Sequence, residues 1–221
     1  MDWRRLQQAD IPGLPSSHRE NVLPGSTTMK VAILTGSVRS GRQSHKIAHH
    51  LERKLRERGA EADLIDLAET PLPILEDRSG RPPQLQATVQ GLSARLRRAD
   101  ALVFVTPEYH GSFSGVLKNA LDYFWEEFDK KPIGVVAVSA GKLGGINAST
   151  QLQHVILSLG AFPLPLKLLV PEVQSAFDES LQLRSEQVAK AADRFLDEYL
   201  WFARAIVQAK QAGEISRPLV A

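Results

Sequence analysis

Five short apolar runs constrain this chain more than any other feature: KVAILTG from Lys30, ADLIDL from Ala62, DALVFVT from Asp100, PIGVVAVS from Pro132 and LPLKLLV from Leu164. KVAILTG shows no apolar–polar alternation, which suits a strand covered on both faces, as in a parallel sheet. Between the runs lie stripes at helical spacing. Ile47, Ala48, Leu51 and Leu55 precede a stop at Gly59, and Leu85, Val89, Leu92 and Leu96 form the next stripe. Val116, Leu117, Ala120, Leu121 and Phe124 make a third, a helix over Gly145 to Ser158 a fourth, and Val188, Ala191, Phe195 and Phe202 a long closing helix. Strands alternating with helices imply right-handed crossovers, so the expected fold is α/β, a three-layer sandwich around a five-stranded parallel sheet. The short first loop and the strand count favour the flavodoxin-like order 2-1-3-4-5.

Residues 1–28 are polar and broken by Pro12, Pro15 and Pro24, and regular patterning starts at Met29. The expectation is an N-terminal arm over 1–28, ordered against a partner subunit, and a single domain over 29–221. Composition narrows the classes of function. The formal charge is only +2, from 27 Lys+Arg against 25 Asp+Glu, so charge gives no support to nucleic-acid binding. Cysteine is absent, which excludes disulfides, thiolate metal sites and cysteine nucleophiles, and leaves any redox chemistry to a bound cofactor. No run reaches the ~18 apolar residues of a membrane span, and the first residues lack a signal-peptide core, so a cytoplasmic location is expected.

In a sheet of this order, ligands bind beyond the carboxyl ends of the strands at the switch point. Three loops follow. After strand one, GSVRSGRQS (Gly36 to Ser44) opens a helix whose first amides and partial positive charge favour an anion. Ser37 and Ser44 add hydroxyls, Gln43 an amide and Arg39 a planar guanidinium. The loop is neither a G-x-G-x-x-G fingerprint nor a P-loop, and Ser44 would serve equally as an ordinary N-cap. After strand three, TPEYHGSFSGVLKNALDYF (Thr106 to Phe124) brings Pro107, Glu108, Tyr109, His110, Gly111 and Ser112, whose backbone amides can face a planar heterocycle. After strand four, SAGKLGGINAS (Ser139 to Ser149) clusters Gly141, Gly144 and Gly145, which let backbone approach a ligand closely.

Together these segments, over Met29 to Pro171, resemble the NAD(P)H-dependent FMN reductase family of the flavodoxin superfamily. The resemblance implies that Ser37, Arg39, Gln43 and Ser44 hold the FMN phosphate. Pro107, Glu108, Tyr109, His110, Gly111 and Ser112 would line the isoalloxazine, and Ser139, Gly141, Gly144 and Gly145 would close its other side. Many members carry Asn in place of His110 and Pro in place of Ser114. The implied reaction passes hydride from NADPH or NADH to the flavin and then electrons to a small-molecule acceptor, such as free flavin or a quinone, with no side chain as acid or base and no metal. Backbone N–H groups would stabilise the reduced ring. The family also implies a homodimer or homotetramer; the helix from Val116 to Phe128, with Trp125 and Phe128 at its end, is the candidate interface, and those aromatics would serve a core equally well.

Alternatives within the fold are an electron carrier without nucleotide oxidation and a quinone, azo or metal-oxyanion reductase with tightly bound FMN. Carriers of this type are usually acidic, unlike this chain. His45 and His49 stand one helical turn apart but have neither an H-E-x-x-H pattern nor a third ligand, so a solvated helix face is expected there. HGSFSG is not a G-x-S-x-G nucleophile elbow.

Overall fold

The computed structural model describes residues 28–76 and 81–213. Nearly all of the expected N-terminal arm lies outside them. In chain order the elements are β1 (Lys30–Thr35), α1 (Ser44–Glu57), β2 (Glu61–Asp66), α2 (Pro83–Arg98), β3 (Ala101–Tyr109) and β4 (Ser112–Phe113). α3 (Gly115–Tyr123), β5 (Pro132–Val138), α4 (Ile146–Ser158), β6 (Phe162–Val170), α5 (Val173–Ala176) and α6 (Glu186–Gln211) follow. The sheet runs β2-β1-β3-β5-β6, all parallel, which is the expected 2-1-3-4-5 order of five strands. A sixth, two-residue strand, β4, pairs antiparallel with the end of β3 and was not expected.

Side chains alternate between two cores, which explains runs that are apolar at every position. Val31, Ile33, Val103, Val105, Val136 and Val138 face α1 and α6, whereas Ala32, Leu34, Leu102, Phe104, Ile133 and Val135 face α2, α3 and α4. α6 presses so close to β5 that a Cβ on Gly134 would stand 2.7 Å from the Phe195 ring. The stacked neighbour Tyr199 donates its hydroxyl to the Leu102 carbonyl at 2.8 Å, so this fully buried phenol is satisfied. Pro163 and Pro165 are tolerated because β6 is an edge strand whose register to β5 shifts between Ile133 and Val135.

Two helical expectations change. The third helix ends at Tyr123 because Phe124 is extended, at φ −123° and ψ 150°. Phe128 therefore turns inward, fully buried and edge-on to Phe104 at 5.8 Å, and belongs to the core and not to an interface. In α6 the buried stripe runs through Ala192, Leu196 and Tyr199 beside Val188 and Phe195, and Ala191 is exposed. Among the described residues no helix is long and apolar enough to cross a membrane.

Candidate active site

The loop between β1 and α1 is held from within. The Gly36 N–H donates to the Val105 carbonyl at 2.9 Å, which ties the loop to β3. Arg42, which sequence reasoning did not single out, donates to the Ser37 carbonyl at 2.8 Å and pairs with the buried carboxylate of Asp66 at the end of β2. Asp66 also accepts from the Thr35 hydroxyl at 3.2 Å and the Ala68 N–H at 3.0 Å. Burial works to raise the Asp66 pKa, but the Arg42 hydrogen bond and those of Ala68 and Thr35 outweigh it and hold it below the ordinary aspartate value. Both bonds leave the same guanidinium nitrogen, Nη1, which bridges the carboxylate at the end of β2 and a backbone carbonyl of the loop and so braces one against the other.

With Arg42 so engaged, other residues are left for a ligand. Ser37 and Ser44 are 2% and 1% exposed. Ser44 is not the N-cap: the cap position is Gln43, whose side chain donates to the Gly41 carbonyl at 3.0 Å and makes no capping bond. Ser44 Oγ, Gln43 Oε1 and His45 Nδ1 are buried and have no hydrogen-bond partner among the described residues. Buried polar atoms are nearly always paired, so three in consecutive residues at the start of one helix mark where a polar group belongs. Arg39 is exposed, its guanidinium 5.9 Å from the centre of the Tyr109 ring, and Tyr109 Oη lies 3.5 Å from Ser37 Oγ.

The second loop is a hairpin. Glu108 pairs with Phe113 and Tyr109 with Ser112, leaving His110 and Gly111 as a two-residue turn with φ of 50° and 76°. Positive φ at both positions is the type I′ requirement, normally met by Asn-Gly, and histidine is among the side chains that tolerate it. The tip is therefore chosen for turn geometry, and Tyr109 and His110 are exposed while Pro107 remains buried. Ser114, also unforeseen, binds three segments: its N–H donates to Thr106 Oγ1 at 3.1 Å, its hydroxyl donates to the Gly36 carbonyl, and the same oxygen accepts the Leu117 N–H at 3.2 Å to cap α3. A serine ahead of an apolar helical stripe is the N-cap signal that could have revealed it. Gly36 has no room for a side chain, since a Cβ there would lie 2.5 Å from that of Leu117.

The third loop is placed differently from the expectation of glycines opening backbone to a ligand. Gly144 and Gly145 are buried with φ of 61° and 87°, and a Cβ on either would strike Leu169 at 2.9 Å or Ala137 at 2.7 Å. Their smallness seats the loop on β5 and β6. Only Gly141 is exposed, its N–H donating to Ser139 Oγ at 3.0 Å. Glu108 projects onto α4, where its carboxylate accepts the N–H groups of Asn147 and Ala148, both at 3.0 Å. Ser112 donates to Gln151 Oε1 at 2.7 Å, and Gln151 donates to the Gly111 carbonyl at 2.9 Å.

Loops one, two and three thus meet at the carboxyl edge of β1, β3 and β5. Residues 29–175 match the model of the NADPH-dependent FMN reductases. The chain belongs to this family. As a member of the NADPH-dependent FMN reductases, it is an oxidoreductase with FMN as cofactor and NAD(P)H as co-substrate. An FMN-dependent NADPH-azoreductase of Staphylococcus haemolyticus is 33% identical over 183 residues, covering 79% of this chain and 95% of that protein. The Staphylococcus aureus azoreductase is similar to the same extent. Among solved structures, the flavoenzyme NAD(P)H:acceptor oxidoreductase FerB from Paracoccus denitrificans superposes with a TM-score of 0.64 at 24% identity, covering 80% of this chain and 98% of that one. An NADH:FMN oxidoreductase, EmoB, gives 0.60 at 19% identity, covering 76% and 88%. Both share the flavodoxin-like fold of this FMN reductase.

Proposed function

We propose that the three loops form one FMN site and that the enzyme passes electrons from NAD(P)H to a small aromatic acceptor, with azo compounds and quinones as the leading classes. The observation carrying the site is the pair of buried, unpartnered atoms Ser44 Oγ and His45 Nδ1 at the first turn of α1, both able to donate to an anion, whereas Gln43 Oε1 beside them only accepts. A phosphomonoester dianion suits that turn by charge and by hydrogen bonding. Ser37, Arg39, Gln43 and Ser44 would hold the phosphate. The hairpin from Pro107 to Ser112 and the turn from Ser139 to Gly141 would flank the ring, with Gly144 and Gly145 shaping that turn from beneath. FMN, when bound, supplies the hydride-accepting chemistry. The protein's share is positional: Arg42 and Asp66 keep the phosphate loop in shape, Ser114 locks the hairpin to it, and Tyr109 leans over Ser37 and Arg39.

The azo class is favoured because the Staphylococcus relatives carry that activity in their names and align over nearly their full length. Residues 29–221 would act as a single domain within a homodimer or homotetramer, for which the exposed Trp125 is the remaining contact candidate after Phe128 moves to the core. The cytoplasm, where NAD(P)H is abundant, is the expected location. Absorbance of the purified protein, followed by NADPH and NADH oxidation with and without FMN and then with an azo dye or a quinone, tests this. The expected result is FMN binding and faster turnover when the acceptor is added. A protein that binds no FMN and oxidises neither nucleotide overturns the site, and turnover with free flavin alone overturns the acceptor class.

A further inference from the structure

The hairpin of β3 and β4 rests on only two residue pairs, Glu108–Phe113 and Tyr109–Ser112. A ribbon that short does not hold its position unaided, so something outside it must fix where Tyr109 and His110 stand. Helix α4 has the complementary deficit, because its N-cap is Gly145, which has no side chain to cap its first amides. Each supplies what the other lacks. Glu108 Oε2 accepts from Asn147 N and Ala148 N, residues 39 and 40 positions further on. Gln151, on the second turn of α4, accepts from the Ser112 hydroxyl and donates to the Gly111 carbonyl, both bonds reaching the hairpin where it leaves the turn into β4.

We propose that Glu108 and Gln151 are positioning residues which latch the hairpin to α4 and so set the placement of Tyr109 over the first loop. The Glu108 bonds are charge-assisted and lie at the positive end of the helix, where a carboxylate is most effective. Gln151 closes the far end of the hairpin, so the two contacts fix both its position and its tilt. Glu108 Oε2 is thereby committed to the helix. The functional consequence rests on the proposed FMN site; the latch itself does not.

Amide hydrogen exchange on the full-length apo-protein, paired with FMN titration, tests the latch in Glu108→Ala, Glu108→Gln and Gln151→Ala. In Glu108→Ala, exchange at Asn147 and Ala148 should rise about tenfold and that of residues 108–114 should rise with it. The FMN dissociation constant should increase about tenfold, with altered visible circular dichroism of the bound flavin. Glu108→Gln keeps an acceptor oxygen and should restore exchange and affinity to within about twofold of the parent. Gln151→Ala should loosen residues 108–114 while leaving the Asn147 and Ala148 amides protected. The latch is overturned if Glu108→Ala frees the α4 amides without loosening the hairpin, or if the hairpin loosens with no change in FMN affinity or dichroism. Failure of Glu108→Gln to restore either property overturns it as well. A parent protein that binds no FMN would defeat the proposed site, while the exchange measurements would still decide the latch.

Discussion

Helices α1 and α4 both begin at the carboxyl edge of the sheet, and their first turns are satisfied in opposite ways. At α4 the chain provides its own anion, the Glu108 carboxylate on the N–H groups of Asn147 and Ala148. At α1 it provides none: Gln43 makes no cap, the nearby carboxylate of Asp66 is engaged by Arg42, and three buried polar atoms have no partner among the described residues. A helix start that carries its own carboxylate is part of the scaffold. One that is braced around its rim yet unsatisfied at its centre has the features that support the proposed phosphate site.

The most severe way to break this contrast is to make α1 resemble α4. Gln43→Asp places a carboxylate at the N-cap, and like charges a few ångströms apart at the protein surface repel by about 3 kcal/mol. FMN affinity should fall about 100-fold while the apo-protein stays as stable as the parent or gains slightly. Fluorescence titration of FMN reads this, and an affinity within threefold of the parent would show that no phosphate sits there. Next in size is Arg42→Ala, which strips the partner from a buried carboxylate and should cost about 2–3 kcal/mol in urea unfolding of the apo-protein. A loss below about 0.5 kcal/mol would mean that the α1 loop is not preformed by its brace.

Arg39→Ala sharpens the division of labour between the two arginines. The exposed Arg39 guanidinium stands 5.9 Å from the centre of the Tyr109 ring and braces no buried group among the described residues, so its removal should weaken FMN about tenfold with no change in the urea midpoint. Equal effects on affinity and stability would erase the distinction from Arg42. The last prediction is a pH dependence centred on His50 of α1. Burial, together with Arg53 and Lys54, lowers the His50 pKa to about 4. The folded protein therefore keeps this imidazole neutral while the unfolded chain takes up a proton near pH 6.5. Stability from this group is complete above pH 6.5 and declines as pH falls toward 4. Melting temperatures at pH 7.5 and pH 5 should differ less in His50→Gln than in the parent, and an unchanged difference would refute the assignment.

Much of this molecule was legible in its sequence. An unbroken apolar run marks a strand covered on both faces, and the 3.6-residue stripes place the helices, because both signals are written by solvent exclusion along a regular element. The helix over Val116 to Phe128 was overdrawn because Phe124 and Phe128 keep helical spacing whether or not the backbone remains helical. The hydrophobic pattern records burial and not φ and ψ. The glycines of the third loop were placed correctly in the chain, but their direction was not legible: only the packing of Leu169 and Ala137 shows that Gly144 and Gly145 face the sheet. His110-Gly111 carried a turn signal, while the strand pairing that it closes needed Ser112 and Phe113 brought back alongside β3.

The sequence by itself determined the strand order and the loops that gather beyond the carboxyl ends of the strands, since both follow from local periodicity and chain connectivity. Only the tertiary structure decided which charges remain for a ligand. Arg42 with Asp66 and Glu108 with α4 join residues 24 to 40 positions apart. Whether a charged side chain is spent inside the protein or left for substrate depends on the partner that folding brings within about 3 Å of it.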